Sequence, residues 1–372
     1  MDKTVLTGEK RKLYFPQLDS IRGMSFIAIF LFHTLGINYS NNGLGNFSSY
    51  VFNCLPFAID VFFILSSFLL TYLALNEYEK RGNFSFKNYF TRRILRIWPL
   101  YYFILVLAFV IFPLVANWLH FKMSLPPFFY YLFFIANFYV ADHVFFLRLL
   151  WTISVEEQFY LLWGICLRFW YKKLQSIIFI FFIVSIAFSL YAIFNRVSFY
   201  FNTLTYLFDF GSGSLAALFI FKNNKIIKLF GNLSFAGTLS FYWYLPFHFL
   251  VFYFLNKNST GVANDIIELI NRYLFIIYIS LFIIEQMINI SRTRIFERAG
   301  FLIFTGKISY GLYCYHGITI LLINLLATHF KIDIANWAIV IIYFLFNYLV
   351  ATISYYYLEF PFLKLKKKWR RI

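Results

Sequence analysis

The chain has 372 residues, 61% of them hydrophobic and 24% aromatic, with 54 Phe and a mean hydropathy of +0.70. Only 13% are charged, which is about half the usual share of a soluble domain. This excludes a soluble globular enzyme and a disordered chain, and apolar runs of about 20 residues without alternation exclude a membrane barrel. The net charge is +17, from 33 Lys and Arg against 16 Asp and Glu. Such a balance can signal nucleic acid, but basic cytoplasmic loops explain it in a membrane chain, and no nucleic-acid partner is expected. Cys54, Cys166 and Cys314 lie far apart in apolar stretches, with neither metal-ligand spacing nor a disulfide framework.

In chain order, ten apolar segments are long enough to span a bilayer: 17–37, 51–75, 97–117, 150–170, 176–194, 204–221, 231–255, 273–290, 308–328 and 337–358. The first is long enough to stay as an anchor rather than be cleaved. An eleventh stretch, Pro126 to Tyr139, is shorter and opens on Pro126-Pro127, so it is expected to be re-entrant or interfacial. With that segment not crossing and the N-terminus in the cytoplasm, 27 of the 33 basic residues fall on the inner side. The six outside are Lys122, Arg148, Arg196, Lys257, Arg272 and Lys331. Counting 126–139 as a span destroys this asymmetry. The expected fold is therefore an all-α integral membrane protein of about ten transmembrane helices plus one short segment, with both termini cytoplasmic. It is expected to be one domain over 1–372, with a core at 13–361 and basic ends at 1–12 and 362–372.

Ionisable groups at membrane depth are costly and tend to mark a functional path. In the first span Arg22 and His33 are eleven residues apart, which stacks them on one helix face about 16 Å apart along the axis. Asp19 can pair with Arg22 one turn away. In the fourth span Glu156 and Glu157 follow Trp151, and entry from outside sets Glu156 near the depth of His33. Arg93 and Arg96 share a face at the inner end of span three, where they suit a bidentate phosphate fork or an anchor for lipid headgroups. Asp60, His248 and His316 lie within spans, as satisfied polar groups or as site residues, and Glu359 closes the last span, where it can meet the basic tail. A His with a carboxylate suits activation of a hydroxyl, and an Arg pair suits a phosphorylated donor. The residues alone leave a membrane enzyme or a transporter with a phosphorylated ligand.

The motifs in combination resemble the acyltransferase 3 family, multi-spanning acyltransferases that modify bacterial surface glycans and some small molecules. The resemblance runs from Tyr14 to Pro361. Leu18-Asp19-Ser20-Ile21-Arg22 with His33 is similar to the family's Arg-x10-His signature. Ile59-Asp60-Val61-Phe62-Phe63-Ile64-Leu65-Ser66, Arg93-Ile94-Leu95-Arg96, Trp151-Thr152-Ile153-Ser154-Val155-Glu156-Glu157-Gln158-Phe159-Tyr160, and Gly306-Lys307-Ile308-Ser309-Tyr310 with His316 resemble its further motifs. Ser67, Thr152 and Gly317 depart from the usual Gly, Ser and Trp.

The resemblance implies an O-acyltransferase of the bacterial cytoplasmic membrane, of the type without an appended hydrolase-like domain. The donor would be a cytoplasmic acyl-CoA, most often acetyl-CoA, used as co-substrate with no bound cofactor or metal. The acceptor would be a glycan hydroxyl. Arg93 and Arg96 would hold donor phosphates, and His33 would act as base or relay the acyl group with Glu156 orienting it. Arg22, Asp19, Asp60, Trp151 and His316 complete the expected substrate- and donor-binding set. The rivals are a transporter or flippase and a glycan polymerase.

Overall fold

In the computed structural model the apolar segments become helices, and no strand forms among the described residues, which are 14–39, 47–118, 124–139, 144–222, 225–288, 295–331 and 336–365. The basic ends 1–12 and 366–372, with Lys122, Arg292 and Arg294, lie outside them. The first half of the chain gives α1 (Pro16–Tyr39), α2 (Phe47–Asn53), α3 (Ala58–Arg81), α4 (Phe86–Val106), α5 (Phe112–Trp118), α6 (Phe128–Leu132), α7 (Phe145–Arg148), α8 (Trp151–Phe169) and α9 (Leu174–Phe194). The second half gives α10 (Leu207–Phe221), α11 (Lys225–Gly231), α12 (Phe235–Lys257), α13 (Gly261–Ile288), α14 (Ile295–Arg298), α15 (Gly300–Lys307), α16 (Ser309–His329), α17 (Asn336–Ser354) and α18 (Phe360–Leu365).

Nine of the ten expected spans coincide with helical segments that are long and apolar enough to cross a bilayer. The tenth, α8, is a 19-residue helix made less apolar by Glu156, Glu157 and Arg168. Local signals set several ends. Pro16 opens α1, where its missing N–H costs no hydrogen bond. Gly82 closes α3 at φ 67°, a left-handed position that a side chain would strain. Ser85 and Ser234 cap α4 and α12 by accepting from Asn88 N and Gly237 N. Helix α4 widens into a π turn at Leu107–Ile111 just before Phe112-Pro113, and α17 does the same at Tyr355–Glu359 before Phe360-Pro361. In both places the wider turn accommodates a proline that cannot donate to the carbonyl four residues back.

The chain folds as two compact units. Unit 1 comprises residues 1–82, 172–200 and 204–307. Its densest contact is α3 against α10. Small residues permit it: a Cβ on Gly213 would lie 2.1 Å from Ile64 O and 2.2 Å from Ser67 Oγ. Ser67, where the family usually has Gly, is thus accommodated by a glycine on the facing helix, and its hydroxyl donates to Ile64 O. Helix α15 lies as closely on α1, where a Cβ on Gly306 would sit 1.8 Å from Asp19 O and one on Gly23 2.5 Å from Leu302 O.

Unit 2 comprises residues 83–171, 201–203 and 308–372. It holds the short segment, which is not one helix: α6 is followed by Phe134 at φ 55° and a 3-10 turn at Ala136–Phe138. Neither piece is long enough to cross a bilayer. The backbone groups freed by the break are satisfied from neighbouring helices. Tyr101 and Tyr102 hydroxyls donate to Tyr131 O (2.7 Å) and Leu132 O (3.3 Å), Gln158 Nε2 donates to Phe134 O (2.9 Å), and Ala136 N donates to Ser154 Oγ (3.2 Å). Non-helical backbone persists at membrane depth only when paired inside protein in this way. Phe134 stacks on Tyr101 with ring centroids 4.3 Å apart.

Candidate functional site

In unit 1, Arg22 and His33 lie on the single uninterrupted helix α1, which preserves their shared face. Arg22 is buried, and its Nη1 donates to Asp19 Oδ1 at 3.3 Å. The contact of Gly306 with Asp19 O locks the backbone of this same turn, so the late Gly306 motif serves as a brace for Arg22. His33 is half-buried, 5.5 Å from the Phe32 ring.

Asp60, also in unit 1, belongs to a buried ion triad. Arg272 Nη2 donates to Asp60 Oδ1 at 3.0 Å and to Asp209 Oδ2 at 2.7 Å, and its Nε lies 3.2 Å from Asp60 Oδ2. The guanidinium also lies over the Tyr206 ring, 4.7 Å from its centroid. The sequence reading put Arg272 in an outer loop. It is instead a helical residue of α13, its side chain 12% exposed, because α13 prolongs the apolar stretch toward the N-terminus as an amphipathic helix from Gly261. Its charge is tolerated there because two carboxylates neutralise it. Asp209 escaped the sequence reading, although an Asp in an apolar segment is the signal that singled out Asp60.

In unit 2, Arg93 and Arg96 share a face of α4 as expected. Arg93 is 8% exposed, lies 5.8 Å from the Tyr160 ring centroid, and has its Nε without a bonded partner. Tyr89, Arg96 and Glu156 are its charged and polar neighbours. Glu157 accepts from Trp98 Nε1 at 3.3 Å and keeps a buried, unpartnered Oε1. Glu359 has Arg96 as its charged neighbour, again with one oxygen orphaned, and the basic tail expected to meet it lies outside the described residues from 366 on. The unit thus gathers Arg93 and Arg96 with Glu156, Glu157 and Glu359, which the sequence reading had set at different depths. Orphaned buried atoms of both signs suit a ligand that supplies acceptors and donors together.

His316 is fully buried in unit 2, with Nδ1 2.6 Å from Tyr313 O. A carbonyl only accepts, so this nitrogen carries the proton. Tyr313 is tied to α8 through Thr152 Oγ1 (3.0 Å), which gives the substituted Thr152 its role. A Cβ on Gly317 would lie 2.8 Å from Phe146 Cα, so α7 occupies the space of the family's usual Trp. Trp151 is buried edge-on against Phe201, at 5.2 Å. The structure therefore joins Arg22 with Asp19 in unit 1 and Arg93, Arg96 and Glu156 in unit 2. His33 and Glu156, expected to act as a pair, belong to different units.

Residues 15–356 match the sequence profile of a family described as "Acyltransferase domain". The chain is 27% identical over 398 aligned residues to the "Putative O-acetyltransferase" of Staphylococcus aureus strain COL, covering 98% of this chain and 60% of that protein. It is 26% identical over 373 residues to "O-acetyltransferase OatA" of Staphylococcus aureus strain NCTC 8325 / PS 47, covering 94% of this chain and 57% of the relative. The chain spans about 60% of the length of these curated relatives. No solved structure matches it. With a family match that takes in every motif above, the chain belongs to the acyltransferase 3 family.

Proposed function

We propose that the chain is an O-acyltransferase of a bacterial cytoplasmic membrane, with both termini on the cytoplasmic side. It moves an acyl group, in the first place acetyl, from cytoplasmic acyl-CoA to a hydroxyl of a cell-surface or lipid-linked glycan. The observation that carries this reading is the family match over 15–356, with Arg22, His33, Arg93, Arg96 and Glu156 all present at motif positions.

The chemistry assigned is substitution at a thioester. The glycan hydroxyl attacks the acyl carbonyl, His33 takes the hydroxyl proton, and the CoA thiolate leaves. Arg93 and Arg96 grip donor phosphates, and the orphaned Arg93 Nε is a donor still free for an anion. Glu156 we assign to holding Arg93 in its binding orientation, and Asp19 to holding Arg22. Asp60, Trp151 and His316 act as positioning residues through the contacts given above.

Purified chain in proteoliposomes, supplied with radiolabelled acetyl-CoA and de-O-acetylated envelope polysaccharide, tests the reading. Acceptor-dependent release of free CoA with label on the polysaccharide is expected. Movement of polysaccharide or CoA across the bilayer without acyl transfer would replace it with a transporter.

A further inference from the structure

Within unit 2, the broken segment after α6 builds a platform on α4. Phe134 stands at φ 55°, a left-handed conformation that is strained for a bulky residue. Its buried ring meets three rings of α4, stacked on Trp98 at 5.7 Å and on Tyr101 at 4.3 Å, and edge-on to Tyr102 at 6.0 Å. A ring of side-chain hydrogen bonds around Gln158 holds it there. Gln158 Nε2 donates to Phe134 O (2.9 Å) and to Asn137 Oδ1 (2.8 Å), and Thr203 Oγ1 donates to Gln158 Oε1 (2.5 Å). Asn137 Nδ2 donates in turn to Thr203 Oγ1 (3.3 Å) and closes the ring. Both ends of the Gln158 amide are thereby used.

Trp98, seated on that platform, turns its one polar group to α8: Nε1–H donates to Glu157 Oε2 at 3.3 Å. Glu157 immediately precedes Gln158, so one turn of α8 carries both the clamp and the carboxylate. Arg93, five residues before Trp98 on α4, is among the charged groups near Glu157. Opposite charges away from water attract strongly. Even so, no ion pair joins Arg93 to Glu157 among the described residues, and Arg93 Nε and Glu157 Oε1 both stay without a hydrogen-bond partner. A carboxylate on a flexible side chain closes on a neighbouring guanidinium unless it is restrained. The indole N–H, fixed by the Phe134 stack, is the restraint that the structure shows.

We propose that Trp98 is a positioning residue for the donor site: it holds Glu157 off Arg93 and so keeps that guanidinium open to a donor phosphate. Phe134 and Gln158 serve the same end by fixing the indole. The strain at Phe134 then has a use, because a relaxed backbone there would carry its ring away from Trp98. The proposal rests on the acyl-CoA reading for the identity of the anion.

Equilibrium binding of radiolabelled acetyl-CoA to detergent-purified full chain, beside the transfer assay, tests it. Trp98→Phe keeps an aromatic ring on Phe134 and removes the N–H. Glu157 is then free to close on Arg93, and acetyl-CoA binding should weaken roughly tenfold, the size of one charge-assisted hydrogen bond, with acceptor KM unmoved. Glu157→Gln removes the competing charge and still accepts from Trp98, so it should bind acetyl-CoA at least about twofold tighter. In Trp98→Phe with Glu157→Gln no carboxylate remains to close on Arg93, and binding should return to within about threefold of wild type. A role in packing alone gives no such rescue. Absence of rescue overturns the proposal, as does unchanged binding by Trp98→Phe. If Trp98→Phe does not fold, Glu157→Gln decides, and unchanged or weaker binding overturns the proposal. Acetyl transfer by wild type without these shifts overturns the restraint and leaves the transferase standing. The same shifts in a chain that binds acetyl-CoA without transferring acetyl support the restraint and overturn the transferase. Wild type that binds no acetyl-CoA overturns both.

Discussion

Arg272 donates to Asp60 and to Asp209 at once, across a separation of 212 residues from the first and 63 from the second. One guanidinium thereby ties α13 to α3 and α10, the most closely packed pair of unit 1. Removing one partner of a buried pair leaves an uncompensated charge, at a cost of about 3–5 kcal/mol. Arg272→Leu, which strands two carboxylates, is expected to lower the detergent-solubilised melting temperature and yield more than Asp60→Asn, which leaves Asp209 to pair. Fluorescence-detected size exclusion after heating reads the order. A more stable Arg272→Leu chain would mean that the triad does not hold unit 1 together.

Gly306 bears on Arg22 through backbone. A methyl there would meet Asp19 O at 1.8 Å, so Gly306→Ala must push α15 off α1. The expected outcome is loss of transfer with reduced but measurable folded protein. Gly300→Ala, in the same helix with open space around it, should be close to silent. Equal activity of the two variants would contradict the brace.

The spans were legible because apolar runs of bilayer length have few other uses. Both departures came from charge. Helix α8 is poor in hydropathy because it carries half-buried Glu156 and Glu157 and ends on an exposed Arg168, and α13 begins twelve residues before its apolar stretch because its polar face is paired. That 126–139 forms no crossing helix was readable from its length and Pro126-Pro127. Its anchoring through Gln158, Ser154, Tyr101 and Tyr102 was not, since no local pattern reports contacts 18 to 30 residues away. The candidate residues were legible one by one as costly polar groups in apolar surroundings. Their partners were not: Asp60 announced a need for a cation without naming Arg272, and Arg93 carried no sign that Glu156 would stand near it.

The donor assignment turns on guanidinium geometry. Lys retains the charge of Arg93 and Arg96 but loses the planar fork. One lost charge-assisted bond is worth about 1.5–3 kcal/mol, so Arg93→Lys with Arg96→Lys should raise the acetyl-CoA KM roughly tenfold or more at normal protein level. A lipid-anchoring role would leave donor dependence unchanged, and acetyl-CoA titrations in proteoliposomes distinguish the two.

Acyl transfer through His33 is the central claim, and the most direct test is mass spectrometry of the acceptor polysaccharide after incubation with acetyl-CoA and either wild-type or His33→Ala protein in proteoliposomes. The account predicts O-acetylated polysaccharide from wild type. From His33→Ala it predicts at least about a hundredfold less, the range of a lost general base, from protein that still inserts and elutes as wild type. Normal O-acetylation by His33→Ala would contradict it.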